Sequence, residues 1–253
     1  MKIYDERWFD LYARKLTRRD LLRLGRDAAA CIALSTVVPP TSRVLRRSRL
    51  RANPFASGVA SGDPLDTGVV LWTRLDPAVL EGSGLIGSAA GRAGPAIEVR
   101  WEIAEDDAFR RIARRGTASA LSELGYSVHA EVDGLQPGRE YWYRFDAAGE
   151  ASPIGRTRTA PAPRSLPDQL RFAFASCQNY EYGFFTAHRH LSAEPLDLVV
   201  HLGDYIYERR FPRLPVRLHE GVVEVKSLAE YRARYAQYGA DADLQAAHAV
   251  PGS

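Results

Sequence analysis

From Phe55 to about Pro161 apolar and polar residues alternate, most clearly in Gly68-Val69-Val70-Leu71-Trp72-Thr73 and in Ile97-Glu98-Val99-Arg100-Trp101-Glu102-Ile103. A period of two marks strands with one buried and one wet face. Residues 126–132 and 140–145 continue it, separated by Asp133-Gly134-Leu135-Gln136-Pro137-Gly138, where glycine and proline supply turn geometry. About seven short strands in roughly 100 residues predict a β-sandwich, with little helical signal.

The rhythm changes after Pro161-Ala162-Pro163-Arg164-Ser165-Leu166-Pro167, whose three prolines in seven residues resist both helix and central strand and so predict a boundary. Residues 170–176 then read as a strand, 184–194 as a helix stopped by Pro195, and 196–202 as a nearly continuous apolar strand. Strand, helix, strand at this spacing predicts a parallel βαβ unit. Ser227-Leu228-Ala229-Glu230 is a capping box, and Tyr231, Tyr235 and Tyr238 follow on one face of the helix it starts, where they read as packing. A second short helix starts at Asp241 and carries Leu244 and Ala247.

Charge sets the two ends of the chain apart. Residues 1–53 hold 13 of the 34 Lys and Arg but 5 of the 31 Asp and Glu, so this stretch carries +8 and the rest −5 of the net +3. Because the basic excess sits in a leader, no nucleic-acid-binding surface is expected. Within it, Thr17-Arg18-Arg19-Asp20-Leu21-Leu22-Arg23 and the apolar stretch 28–38 before Pro39-Pro40 resemble a twin-arginine export signal. About 11 apolar residues fall short of the roughly 20 that cross a bilayer, so no permanent membrane anchor is expected. The expected partner is the twin-arginine export machinery, and the expected location periplasmic, extracellular or cell-wall associated. The plan is a leader over 1–53, a β-sandwich over 54–161, a linker over 162–169 and part of an α/β domain over 170–253.

With Cys31 in the leader, Cys177 is left alone, and composition by itself favours a small buried hydrophobe there. Its position argues otherwise. Ligands gather beyond the carboxyl ends of parallel strands, and the two strands predicted here end in Ser176-Cys177-Gln178-Asn179 and Gly203-Asp204-Tyr205-Ile206-Tyr207-Glu208. Adjacent strands would bring out Cys177 and Asp204 side by side, with Gly203 turning the carboxylate outward, a geometry suited to metal. Asn179 is a candidate substrate contact. His201 is expected in the core or behind the ligands. His188 and His190 lack metal-ligand spacing, and Arg209 and Arg210 read as a solvated loop.

Two resemblances extend this reading. Leu135-Gln136-Pro137-Gly138-Arg139-Glu140-Tyr141 resembles fibronectin type III domains, which gives an Ig/fibronectin-like sandwich. Phe174-Ala175-Ser176-Cys177-Gln178, followed by His201-Leu202-Gly203-Asp204-Tyr205-Ile206-Tyr207-Glu208, resembles the opening motifs of the PhoD-like alkaline phosphatase/phosphodiesterase family. Ser57-Gly58-Val59-Ala60-Ser61-Gly62-Asp63-Pro64 and Gly155-Arg156-Thr157-Arg158-Thr159-Ala160-Pro161 look like the start and end of that family's N-terminal β-sandwich domain. The resemblance implies that 170–253 begins an α/β metallophosphatase domain with Fe3+ and Ca2+ as cofactors and a phosphate ester as substrate. It implies Asp204 as a carboxylate bridging the metals and Cys177 and Tyr207 as ligands of the ferric ion.

Members of the family continue into an Asp-His-Glu segment and later Asp and His ligands that are not present here. The chain is therefore expected to be an N-terminal portion, with little or no activity alone. The competing expectation is a non-catalytic exported β-sandwich binding module with a relic hydrolase segment. A calcineurin-like metallohydrolase is disfavoured, since residues 174–178 read Phe-Ala-Ser-Cys-Gln in place of an Asp-x-His start.

Overall fold

A computed structural model describes residues 50, 52–87, 94–211 and 214–250. The twin-arginine motif and its apolar stretch lie outside these residues. Among the described residues no helix is long and apolar enough to cross a membrane.

The chain is β-rich. Strands β1 (Val59–Gly62), β2 (Gly68–Arg74) and β5 (Ser127–Asp133) form one antiparallel sheet in the order β1-β2-β5. A second sheet holds β3 (Ile97–Ala104), β4 (Ile112–Ala120), β6 (Glu140–Ala147), β7 (Glu150–Ala151) and β8 (Gly155–Arg158), in the order β4-β3-β6-β7 with β8 also paired to β6. The predicted alternation decides which residues are buried. In β2 and β5, Val69, Leu71 and Thr73 lie opposite Val132, Ala130 and Val128, and all six are buried. In β6, Tyr141, Tyr143, Phe145 and Ala147 alternate inward and join Val99 and Ile103 of β3 in the same core cluster. Each of the larger aliphatic and Phe side chains among them contributes about 1.5–3 kcal/mol by leaving water.

Close packing restricts substitution. A Cβ built on Gly155 would stand 2.2 Å from Tyr143 Cζ, and the Tyr143 ring is fully buried and cannot swing away. Gly155→Ala is expected to cost about 1–3 kcal/mol through overpacking, read as a lowered Tm. A Tm unchanged from wild type would show that β8 shifts freely.

Short helix α1 (Pro77–Gly82) interrupts the β module, with Asp76 accepting from the Ala78 N–H as its cap and proline in its first turn. The sequence carried that signal, but six residues are too few for periodicity to reveal.

Beyond the prolines, β9 (Phe172–Ala175) and β10 (Leu198–His201) pair in parallel, joined through α2 (Thr186–Ala193). Both strands are shorter than predicted because pairing starts only at Phe172↔Leu198. The pair leaves large apolar side chains in water: Phe172 is 59% exposed, Phe174 68% and Leu202, just past β10, 64%. The reason is that this sheet has two strands. Helix α3 (Leu228–Gly239) starts at the predicted capping box, with the Ser227 side chain accepting from the Glu230 N–H and the Glu230 carboxylate accepting from the Ser227 N–H. Asp241 caps α4 (Ala242–His248), which buries Leu244 and Ala247 and is joined to α2 by a two-point Arg189–Asp243 pair with both bonds at 2.9 Å.

The α/β residues are also tied to the β module. Arg158 pairs with Asp197, Gln245 Nε2 donates to the Ala56 carbonyl at 2.7 Å, and the Arg156 N–H donates to the Ala249 carbonyl at 2.7 Å.

Candidate functional site

Strands β9 and β10 stop in register at one edge, and both chains leave it through left-handed backbone. Cys177 has φ 55° and Asp204 φ 52°, reached in the second case through Gly203 at φ 120°. Non-glycine residues held in sparsely populated backbone regions cost on the order of 1–3 kcal/mol each. The two turns brace each other: the Cys177 N–H donates to the Gly203 carbonyl at 3.1 Å, and the Gln178 N–H to the Asp204 carbonyl at 3.2 Å. Parallel pairing thereby runs on past the strands as irregular hydrogen bonds that aim both side chains outward.

Cys177 Sγ lies 3.6 Å from Asp204 Oδ2, and the Tyr207 hydroxyl donates to the same oxygen at 3.1 Å. Thiol, carboxylate and phenol thus meet at one atom. The thiol is exposed, against what composition by itself favours and in line with its position, because it lies beyond the last ladder pair, His201↔Ala175. Burial raises the Tyr207 phenol pKa above its ordinary value, and the bond to Asp204 and the charges of Asp204 and Cys177 push it further the same way.

The other expected residues have local partners. Asn179 Oδ1 accepts from the Glu181 N–H at 2.9 Å, so it shapes its own turn. Arg209 pairs with Glu224 at 2.9 Å, and Arg210 donates to the carbonyls of His219 and Gly221. Both arginines therefore close the loop between β10 and α3. His201 sits behind Asp204, with Nδ1 accepting from the Gly203 N–H at 3.3 Å. His188 is buried on α2, with Nε2 at 2.8 Å from Gln178 Oε1.

Two positioning residues escaped the sequence reading. Gln178 is buried and, besides His188, donates to the Tyr205 carbonyl at 2.9 Å, so it links the Cys177 turn, α2 and the Asp204 turn. Arg234, buried on α3, donates to the carbonyls of Tyr207 at 2.6 Å, Glu208 at 3.4 Å and Val222 at 3.3 Å. An arginine between Tyr231 and Tyr238 on the apolar face was the available signal.

Beneath the site, fully buried Glu181 accepts from the Phe211 N–H at 2.5 Å and from the His219 N–H at 3.2 Å. Burial, helped by the nearby Arg234 charge, pushes the His219 pKa down to about 4 against the opposing pull of Glu181. Burial likewise lowers His248 to about 4. A histidine held below its ordinary 6.5 binds a proton more readily unfolded, so its contribution is full above pH 6.5 and fades as pH falls toward 4. His219 alone accounts for up to about 3 kcal/mol of that loss. Urea unfolding should show stability falling between pH 6.5 and 5, with a shallower slope in His219→Phe; equal slopes would contradict this.

Among the described residues no group of three or more His, Cys, Asp or Glu is placed to hold a metal ion. Cys177 and Asp204 supply two such donors and Tyr207 a third of another kind. The set fits a transition-metal ion in donor type, and it covers part of a coordination shell.

Residues 40–161 match the family described as PhoD-like phosphatase, N-terminal domain, and residues 172–251 match PhoD-like phosphatase. Over 202 residues the sequence is 50% identical to alkaline phosphatase D of Bacillus subtilis (strain 168), a match covering 78% of this chain and 33% of that protein. A solved structure of PhoD superposes with a TM-score of 0.72 at 49% identity, covering 80% of this chain and 38% of the other. The chain thus spans about a third of the length of the curated relative it matches. With the N-terminal and phosphatase domains both matched in order, the chain belongs to the PhoD-like phosphatase family.

Proposed function

We propose that this chain carries the first metal ligands of an exported, metal-dependent phosphoric ester hydrolase. The observation behind this reading is the convergence of Cys177 and Tyr207 on Asp204 Oδ2 at the carboxyl edge of a parallel strand pair. Thiolate and phenolate suit a ferric ion, and carboxylate oxygens suit calcium. Bound there, such ions would polarise a phosphoryl group and lower the pKa of a coordinated water. The chain's own residues hold the geometry: Gln178 fixes the Cys177 turn to the Asp204 turn, and Arg234 fixes the backbone of Tyr207. The Tyr207 proton rests against Asp204 Oδ2 and must leave for the phenol to become a ligand.

Residues 54–161 serve in this reading as an Ig/fibronectin-like supporting domain, residues 170–253 belong to the α/β metallophosphatase domain, and residues 1–53 direct export by the twin-arginine route. Asp204 alone falls far short of the six to eight oxygens of a calcium shell, and with Cys177 and Tyr207 it covers only part of an iron shell, so little hydrolysis is expected of residues 1–253 acting alone. The second reading, an exported binding module with a relic hydrolase segment, draws on the exposed Phe172, Phe174 and Leu202 around a sheet of two strands.

Iron loading of the purified chain, followed by assay on nitrophenyl phosphate and bis-nitrophenyl phosphate, separates the readings. About one iron per chain, lost in Cys177→Ala, with slow or absent turnover supports a ligand role. A chain that takes up no iron points to the relic, and rapid metal-dependent turnover would overturn the expected inactivity.

A further inference from the structure

We propose that a cleft between the outer face of the β1-β2-β5 sheet and helix α3 binds a flat aromatic anion. The cleft encloses about 510 Å³, within the range of small-molecule sites. None of Cys177, Asp204 and Tyr207 lines it.

Its walls are aromatic. Trp72 comes from β2, Tyr231 and Tyr235 from α3, and Tyr205 from the loop after β10. Tyr205 stacks with Tyr235 at 5.8 Å and 18° between ring planes, and with His248 at 5.8 Å and 22°. Tyr235 nonetheless stays 48% exposed, and beside it Leu228 is 66% and Leu124 57% exposed. Exposed aromatic and aliphatic surface gathered in one concavity favours a flat ring seated against it.

The charge on the lining has one sign. Arg74 and Arg232 line the cleft, no Asp or Glu does, and burial holds His248 neutral at pH 7. Arg74 donates to the carbonyls of Gly125 at 3.0 Å and Arg232 at 3.3 Å, while Arg232 donates to the carbonyl of Glu123. Among the described residues neither guanidinium forms an ion pair with a carboxylate. Asp76 lies close enough to act on Arg74 through its field, but its Oδ1 caps α1. Burial disfavours the charge on Arg74, and the nearby Arg232 acts in the same direction, a cost that an anion beside Arg74 would relieve. Ring and anion in one molecule match both features; a neutral ring or a simple anion matches one.

Naphthalene-2-sulfonate is a suitable probe because it has no ester to hydrolyse, which keeps the result independent of any metal chemistry at Asp204. Calorimetric titration of the full chain should give one site per chain, with 2-naphthol and methanesulfonate each at least about tenfold weaker. Arg232→Gln should weaken naphthalene-2-sulfonate at least about fivefold, as should Tyr235→Ala at a half-exposed position, with an unchanged Tm as the check that the fold is intact. Phe174→Ser, on exposed surface outside the cleft, should leave the affinity unchanged. The proposal is overturned if naphthalene-2-sulfonate does not bind, if 2-naphthol binds as tightly, if Tyr235→Ala has no effect, or if Phe174→Ser abolishes binding.

Discussion

An Asp204→Gly variant is expected to lose about 100-fold or more in iron affinity while unfolding at the wild-type temperature or slightly above it. Substitutions one step removed from a metal ligand already cost about 10–100-fold, and Asp204 is the group on which Cys177 and Tyr207 both converge. Stability should move the other way because Asp204 is exposed and sits at φ 52°, a conformation glycine adopts without steric cost. The relief, about 1 kcal/mol or more, is partly offset by the greater freedom of glycine in the unfolded chain. Loss of affinity without loss of stability is what separates a strained functional residue from a structural one. A variant that binds iron normally, or that unfolds well below wild type, would show that Asp204 serves the fold.

Arg234→Leu is expected to cost about 1–3 kcal/mol or more, the penalty for leaving buried backbone acceptors without a donor. The leucine removes donors from the carbonyls of Tyr207, Glu208 and Val222 and takes away a cation whose field acts on buried Glu181. The damage should be local first. Residues 207–211 and 214–225 are held by Arg234, by the Arg210 bonds and by the Glu181 bonds to Phe211 and His219. Limited proteolysis should therefore cut between 207 and 225 before it cuts the β module, and iron affinity should fall because Tyr207 loses its backbone anchor. Arg234→Lys, with fewer donors, should fall between the two. Wild-type protease resistance in Arg234→Leu would contradict this.

The β module was legible because period-two burial was written directly into β2, β3, β5 and β6, and the capping box placed the start of α3 correctly. Strand β4 was harder to read, since Ile112-Ala113-Arg114-Arg115-Gly116 has no clean alternation and Gly116 is there to admit the Trp101 ring. At the site, residue types and strand ends pointed to Cys177 and Asp204, and Tyr207 was added by the resemblance to PhoD-like phosphatases. The left-handed backbone of Cys177 and Asp204 could not be foreseen, because only Gly203 of the three advertises unusual φ. Arg234 and Glu181 were missed for a related reason. Charged residues read as solvated unless the partners that bury them are known, and those partners are main-chain groups of distant loops.

In the proposed function Cys177, Asp204 and Tyr207 act as one metal-binding unit. The most direct test is the visible absorption of the iron-loaded chain, where thiolate or phenolate bound to ferric iron gives a ligand-to-metal charge-transfer band. Such a band is expected at about one iron per chain, shifted or weakened in Tyr207→Phe and lost in Cys177→Ala. Iron bound with no visible band, or a band unchanged in both variants, would contradict it.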